Sequence, residues 1–314
     1  MHDLVTLGEV LLRLSVPSPG IMENAHQFDI QIGGAEANVA AACARLGLRV
    51  AWISAVPDNV WGSRILRELS GHGVDCAYVS SVGGARLGVY FLEYGVAPRP
   101  IRVLYDRRDS AFTRLTVDMV DWKAVRRARL VHVSGVTPAL GGSARALVHR
   151  LIEEAPACSF DLNYRAALWS SDEAYDFAVS ILPRVSHVFL GQTEAHTVFR
   201  CDGAPEAMLE AIARLAPKAT IVLLRGSEGS IALRDGAYWR PSINPDVKVV
   251  DPIGAGDAWV AGYLWATLRG EEIQAAVDAG ATVAALKCSI WGDIALITER
   301  DVNDVRAGGP DVRR

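Results

Sequence analysis

The sequence predicts an α/β fold: a mostly parallel central sheet with helices on both faces, interrupted by an inserted β-hairpin that suits a lid or a subunit contact. Short apolar β-rich runs alternate with longer amphipathic stretches, the βαβ rhythm of a parallel sheet. One region breaks that rhythm with two strand-like runs too close together to hold a helix between them. Half of the 314 residues are hydrophobic and 22% are charged, a globular composition that can bury a substantial core.

In chain order, "MHDLVTLGEVLLRL" reads as a first strand. It lacks the basic segment, apolar block and small-residue cleavage site of an export signal, so a cytoplasmic location is expected. "RVAWISAV" precedes the amphipathic "WGSRILRELSGHG", "RLVHVSGV" precedes "GGSARALVHRLIEEA", and "CSFDLN" precedes "DEAYDFAVSILPRV"; "TIVLLRG" is a further strand. The break comes at "LGVYFLEYG" and "IRVLYDRR", which should form an antiparallel hairpin. A second hairpin, "SIALRDGAYWRP", turns at Asp235-Gly236, residues suited to a type I′ turn. No repeat or low-complexity linker divides the chain. The expected organisation is one domain over 1–308 and a frayed tail at 309–314.

Several function classes drop away. The five cysteines, Cys43, Cys76, Cys158, Cys201 and Cys288, are scattered without a CxxC pair, which favours buried free thiols over disulfides or a thiolate metal site. A formal charge of −4 provides no basic stripe for nucleic acid, and Arg126, Arg127 and Arg129 read as a solvated helix face. No apolar segment is long enough to cross a bilayer. Walker, zinc-peptidase, serine-hydrolase and dinucleotide-binding patterns are absent, and the seven histidines show no metal spacing.

Four constellations remain. In "DPIGAGDAWVAGYLWATL" a helix is expected to start near Gly256. The backbone N–H groups of Gly254, Ala255, Gly256 and Asp257 then form an anion site at its positive end. On local grounds Asp257 or Asp251 reads equally as a helix cap. In "IQIGGAEANVAAACARLG", Gly33 and Gly34 let a polyol approach the backbone while Asn38 offers a donor and an acceptor; close helix-to-sheet packing is the alternative. In "FDLNYRAALW", Asp161, Asn163 and Arg165 emerge at a strand's carboxyl end, where ligands bind in such sheets. On the first hairpin, Tyr105 and Arg107 share a face that Tyr90 can join, and a guanidinium matches a carboxylate.

These stretches, in this order and nearly spanning the chain, resemble the ribokinase-like (PfkB) family of carbohydrate kinases. "DPIGAGDAWVAGYL" fits that family's C-terminal signature and "GGAEANVAAACARLG" its N-terminal one. "VLYDRRDSA" with "FDLNYRAALW" looks most like 2-keto-3-deoxygluconate kinases, although fructokinases share the latter pattern. The resemblance implies phosphoryl transfer from ATP to a sugar hydroxyl, with Mg²⁺ and often a monovalent cation such as K⁺.

The same resemblance places Gly33, Gly34, Asn38, Tyr90, Tyr105, Arg107 and Arg165 on the sugar acid. Asp257 becomes the base and Gly254, Ala255 and Gly256 the anion hole. Asn163, Arg225, Gly226, Ser227, Gly229, Ala285 and Cys288 fall on the nucleotide side. As a carboxylate at a positive helix end, Asp257 is expected to stay ionised and to be a weak base. A small β-sheet lid built from about 9–32 and 86–113, and a homodimer through it, are implied as well. Departures from the family pattern are Gly191 where an Asn usually precedes Glu194, an indirect metal organiser, together with Leu224, Pro57 and Asp293. The runner-up readings are a fructokinase or other hexose, pentose or nucleoside kinase, and a non-catalytic sensor of the same fold.

Overall fold

The computed structural model describes residues 1–242, 245 and 247–308; the tail expected at 309–314 lies outside them. Among the described residues the strands are β1 (Leu4–Leu7), β2 (Leu11–Ser15), β3 (Asp29–Gly33), β4 (Val50–Pro57), β5 (Val79–Val82), β6 (Gly88–Glu93), β7 (Arg102–Asp106), β8 (Leu130–Ser134), β9 (Cys158–Asp161), β10 (His187–Gly191), β11 (Thr220–Leu224), β12 (Ser230–Arg234) and β13 (Ala237–Trp239). The helices are α1 (Ala35–Arg45), α2 (Val60–Gly71), α3 (Trp122–Arg126), α4 (Val136–Ala139), α5 (Gly142–Glu154), α6 (Ser171–Ile181), α7 (Gln192–Phe199), α8 (Pro205–Ala213), α9 (Ala255–Leu268), α10 (Ile273–Cys288) and α11 (Glu299–Arg306).

Nine strands form one sheet in the order β13-β12-β11-β10-β9-β8-β1-β4-β5. From β11 to β5 all neighbours are parallel, and β12 and β13 add an antiparallel edge. Alternation along β1 sends Val5 and Leu7 into one core and Leu4 into the other, so β1, β4 and β8 are buried along their whole length. Such strands read as unbroken apolar runs because helices cover both faces. Local signals set the helix starts: Asn59 caps α2 by accepting from the N–H groups of Trp61 and Gly62, and Ser170 with Glu173 forms a capping box on α6.

The second sheet has the order β3-β2-β6-β7. The expected hairpin is present as antiparallel β6 and β7. The other hairpin turns at Asp235 and Gly236, both at positive φ (49° and 78°), as the Asp-Gly pair requires. One expectation is corrected: the N-terminal run is not a single strand. It divides after Leu7, where the Gly8 carbonyl accepts from Trp52 Nε1 (3.1 Å) and Ser54 Oγ (2.7 Å), and the chain turns away from the large sheet into β2 of the small one.

The chain leaves β1 towards β4 on one side and returns beside it as β8 on the other, which makes a topological switch point at the carboxyl ends of β1 and β8. Open α/β sheets bind their ligands outside such a point.

Candidate active site

A cavity of about 550 Å³ opens there, between the carboxyl ends of the large sheet and the inner face of the small one. Its floor is the start of α9. Gly254 sits at φ 80°, and a Cβ there would lie 2.3 Å from the Asp293 carbonyl, so glycine is needed both for backbone and for space. No side chain caps α9, which leaves its first-turn N–H groups without intrahelical acceptors. At Gly256 a Cβ would meet nothing within 4 Å, so this glycine faces open cavity.

The capping alternative for the two aspartates does not hold. Asp251 accepts from the N–H of Ile253, ahead of the helix, and Asp257 lies within its first turn facing the cavity. Asn38 Nδ2 donates to Asp257 Oδ2 at 2.7 Å, and Asn163 Nδ2 reaches Oδ1 at 3.4 Å. The Gly34 N–H donates to Asn38 Oδ1 at 3.3 Å, which fixes the amide's orientation. Burial pushes Asp257 up to about 7; the Asn38 hydrogen bond opposes the rise and the Asp293 charge adds to it. The expectation of a weak, ordinarily acidic carboxylate is therefore corrected. Desolvation outweighs the helix end and leaves a group suited to proton transfer near neutral pH. Asp257 keeps an edge open to the cavity, so water there tempers the rise until a ligand displaces it.

Asp161 and Glu194 stand beside it. Burial, then the charges of Glu194 and Asp257, hold Asp161 well above the usual carboxylate range. Glu194 Oε1 accepts from the Tyr164 N–H (2.6 Å) and Oε2 from the Gly191 N–H (2.7 Å), so its carboxylate clamps the Asn163–Tyr164 turn to the end of β10. Asn163 adopts φ 38° in that turn, and its Oδ1 is buried without a hydrogen-bond partner among the described residues. No group of three His, Cys, Asp or Glu side chains among the described residues is placed to hold a metal directly.

The roof comes from the small sheet. Tyr90 and Tyr105 are directly opposed in register with ring centroids 5.6 Å apart, and the Arg107 guanidinium lies 5.7 Å from the Tyr105 centroid. Tyr90 OH donates to Asp293 Oδ2 at 2.7 Å, and Arg107 Nε donates to Glu9 Oε2 at 2.8 Å. Behind them Arg13, fully buried on β2, donates to Asp293 Oδ1 (2.5 Å), Asp251 Oδ2 (2.6 Å) and Ser15 Oγ (2.8 Å), and also to Tyr94 OH.

Gly33, Gly34, Asn38, Tyr90, Tyr105, Arg107, Asn163, Arg165, Glu194 and Gly254 to Asp257 all line this cavity. Arg225, Gly226, Ser227, Gly229, Ala285 and Cys288 do not. The first four follow Leu224, which does line it, and the Cys288 carbonyl accepts from the Val250 and Asp251 N–H groups behind the floor. Sequence reasoning missed Glu9 and Arg13 entirely. Asp293 carried a signal, an acid where a small residue is usual, whereas an arginine inside the apolar run "LLRLS" looks like one more outward strand position.

Comparison with known proteins agrees with the geometry. The pfkB family of carbohydrate kinases matches residues 1–299. The chain is 38% identical to a 2-dehydro-3-deoxygalactonokinase of Haloferax volcanii, over 98% of this chain and 97% of that protein. It is 34% identical to a 2-dehydro-3-deoxygluconokinase of Thermoproteus tenax, over 93% and 90%. A crystal structure of 2-dehydro-3-deoxygluconokinase from Thermotoga maritima superposes with a TM-score of 0.92 at 30% identity, covering 98% of this chain and 99% of that one. With a ribokinase-like fold and family similarity over nearly its whole length, the chain belongs to the pfkB family of carbohydrate kinases.

Proposed function

We propose that the enzyme transfers the γ-phosphoryl group of ATP to the 6-hydroxyl of 2-keto-3-deoxygluconate. The observation that carries this reading is the opposition of two groups across one cavity: Asp257 on an uncapped helix start, and Arg107 with Tyr105 on the lid. A guanidinium beside a phenol suits the carboxylate end of a sugar acid, which leaves the distal hydroxyl for Asp257. The Asp257 carboxylate accepts the hydroxyl proton as the oxygen bonds to the γ-phosphorus and the bond to the bridging β–γ oxygen breaks, releasing ADP. Gly254 and Gly256 present N–H groups and a helix dipole to the charge on the transferring group, with Ala255, whose N–H also donates to the Pro252 carbonyl at 3.2 Å, as a shared donor between them.

Mg²⁺, carried on the nucleotide phosphates, supplies charge neutralisation when bound. The unpartnered Asn163 Oδ1 and the crowded Asp161 and Glu194 carboxylates are suited to hold its water shell. Gly191 leaves that shell one side chain short of the usual family arrangement. Arg225, Gly226, Ser227 and Gly229 are assigned to the nucleotide's phosphates or ribose, and Ala285 and Cys288 to its adenine side. Closure of the small sheet excludes water from the transfer.

A second reading is favoured by the Haloferax relative, named for the galactonate-derived acid. An ADP-release assay on both 2-keto-3-deoxy acids, fructose, ribose, tagatose and adenosine separates these readings. Strong turnover of a neutral sugar with none of either acid overturns the proposal. Pairing of two copies through the lid is also proposed. Its support is an apolar row across all four strands, in which Ile30 opposes Leu14, Leu14 opposes Phe91, and Phe91 opposes Leu104.

A further inference from the structure

The resemblance to this family brings with it the expectation of a monovalent cation near the transferring phosphoryl group. The residues behind the anion hole do not fit one, because cationic side chains already fill the place. Lys287, in the last turn of α10, has no exposed surface, although lysine is among the residues least often buried. Its Nζ donates to the Asp251 carbonyl at 2.8 Å, lies 3.5 Å from the Ile290 carbonyl, and is 3.9 Å from Asp251 Oδ1.

Two backbone carbonyls and a carboxylate at the negative end of a helix are the surroundings a bare monovalent cation takes, and an ammonium is close to potassium in size and charge. The other carboxylate oxygen, Asp251 Oδ2, is equally occupied. It accepts from Arg13 Nη2 (2.6 Å), Tyr94 OH (2.5 Å) and the Gly292 N–H (2.9 Å). Asp251 opens the turn that carries Gly254 to Asp257, so whatever holds Asp251 also positions the anion hole.

We propose that Lys287 is a tethered monovalent cation. With Arg13 it braces the Asp251–Gly254 turn and keeps positive charge behind the anion hole, so that this kinase neither binds nor requires a free K⁺ there. The inference deepens the kinase reading and rests on it for its rate measurement, while its melting measurement does not.

The test compares wild type, Lys287→Ala and Lys287→Met in KCl, NH₄Cl or tetramethylammonium chloride at equal ionic strength. Initial rates are read with ATP and 2-keto-3-deoxygluconate, and melting temperature is read separately. For wild type, both are expected to be the same in all three salts. Removing the charged donor is expected to lower kcat/KM by roughly tenfold to a hundredfold in tetramethylammonium. K⁺ or NH₄⁺ should restore much of that loss in Lys287→Ala and raise its melting temperature by binding the folded state.

A wild-type rate or melting temperature that climbs with K⁺ overturns the proposal, as does a folded Lys287→Ala indifferent to both ions; Lys287→Met, which fills the space without charge, is expected to stay unrescued. If neither variant folds, the wild-type salt comparison still decides. If no substrate turns over, the kinase reading fails, and the melting comparison alone tests Lys287.

Discussion

Every residue of β1, β4 and β8 is buried, whereas every residue of β7 is exposed. The large sheet spends most of its side chains on two cores, with a few small or neutral polar groups such as Thr6, Ser54, His132 and Ser159 enclosed in mid-strand, and brings its cavity-facing acid, Asp161, to a strand end. The small sheet carries polar side chains along its length, with Tyr90, Tyr105 and Arg107 lining the cavity, Arg13 buried behind them, and the row from Ile30 to Leu104 on the other face. The difference separates two tasks. On the proposed function, the buried parallel sheet is the rigid support for the anion hole and base at the start of α9, and the thin, half-exposed sheet is the part that meets the far end of the substrate.

The sharpest way to break this division is at the base. Asp257→Asn is expected to lower kcat by about 10²- to 10⁴-fold, the scale of general-base catalysis, measured by ADP release. Because the folded state raises this group to about 7, it takes up a proton more readily than the unfolded chain does. Its stability contribution is present below the unfolded value and is lost as pH rises through 7. Activity runs the other way, with an acidic limb near pH 7 in wild type. The Asn variant should therefore melt no lower than wild type at pH 8; a large drop there would make Asp257 a structural residue.

At the opposite end of the substrate, Arg107→Ala should reduce kcat/KM for a sugar acid by roughly 10- to 100-fold, the cost of losing a charged hydrogen-bond partner. Any turnover of a neutral sugar should stay unchanged. Equal losses on both substrates would remove the carboxylate contact from the lid.

The two glycines of the floor sharpen the comparison within a single turn. Gly254→Ala forces a positive φ and a clash with the Asp293 carbonyl, and is expected to cost about 1–3 kcal/mol in urea unfolding. Gly256→Ala touches no protein atom, so it should leave stability within ~0.5 kcal/mol while its methyl group obstructs phosphate approach and lowers kcat. The smallest expected effect on the folded chain is Leu104→Asp on the lid's outer row, within ~0.5 kcal/mol as a surface change. Light scattering should nonetheless show monomer in place of dimer. A wild type that is already monomeric ends the lid-pairing proposal.

Legibility in the sequence follows the range of the interactions. The run from Asp251 to Trp259 is local, so its glycines, its helix and its acid could be read together, and so could the period-2 face shared by Tyr105 and Arg107. Arg13 and Asp293 lie 280 positions apart in the chain. Neither strand pattern nor helix spacing could pair them. Glu9 was hidden because its place, just past β1, looks like a strand interior until the chain is seen to change sheets at Gly8. The raised pKa of Asp257 escapes local reading for a related reason. The helix end that favours its charge is visible in the local sequence, while the protein that desolvates it arrives from elsewhere in the fold.

The buried guanidinium of Arg13 has one more consequence, for how this chain can change over generations. It satisfies Asp251 and Asp293 at once, and Asp293 in turn receives Tyr90. Replacing Asp293 by the small residue usual at that position would leave a buried cation short of an anion and a buried phenol short of an acceptor. Replacing Arg13 would leave two carboxylates facing each other. Positions 13, 90 and 293 therefore form an epistatic set, in which single exchanges are penalised and only concerted ones are neutral. A library that randomises the three together should return functional combinations that no stepwise walk through single variants would reach.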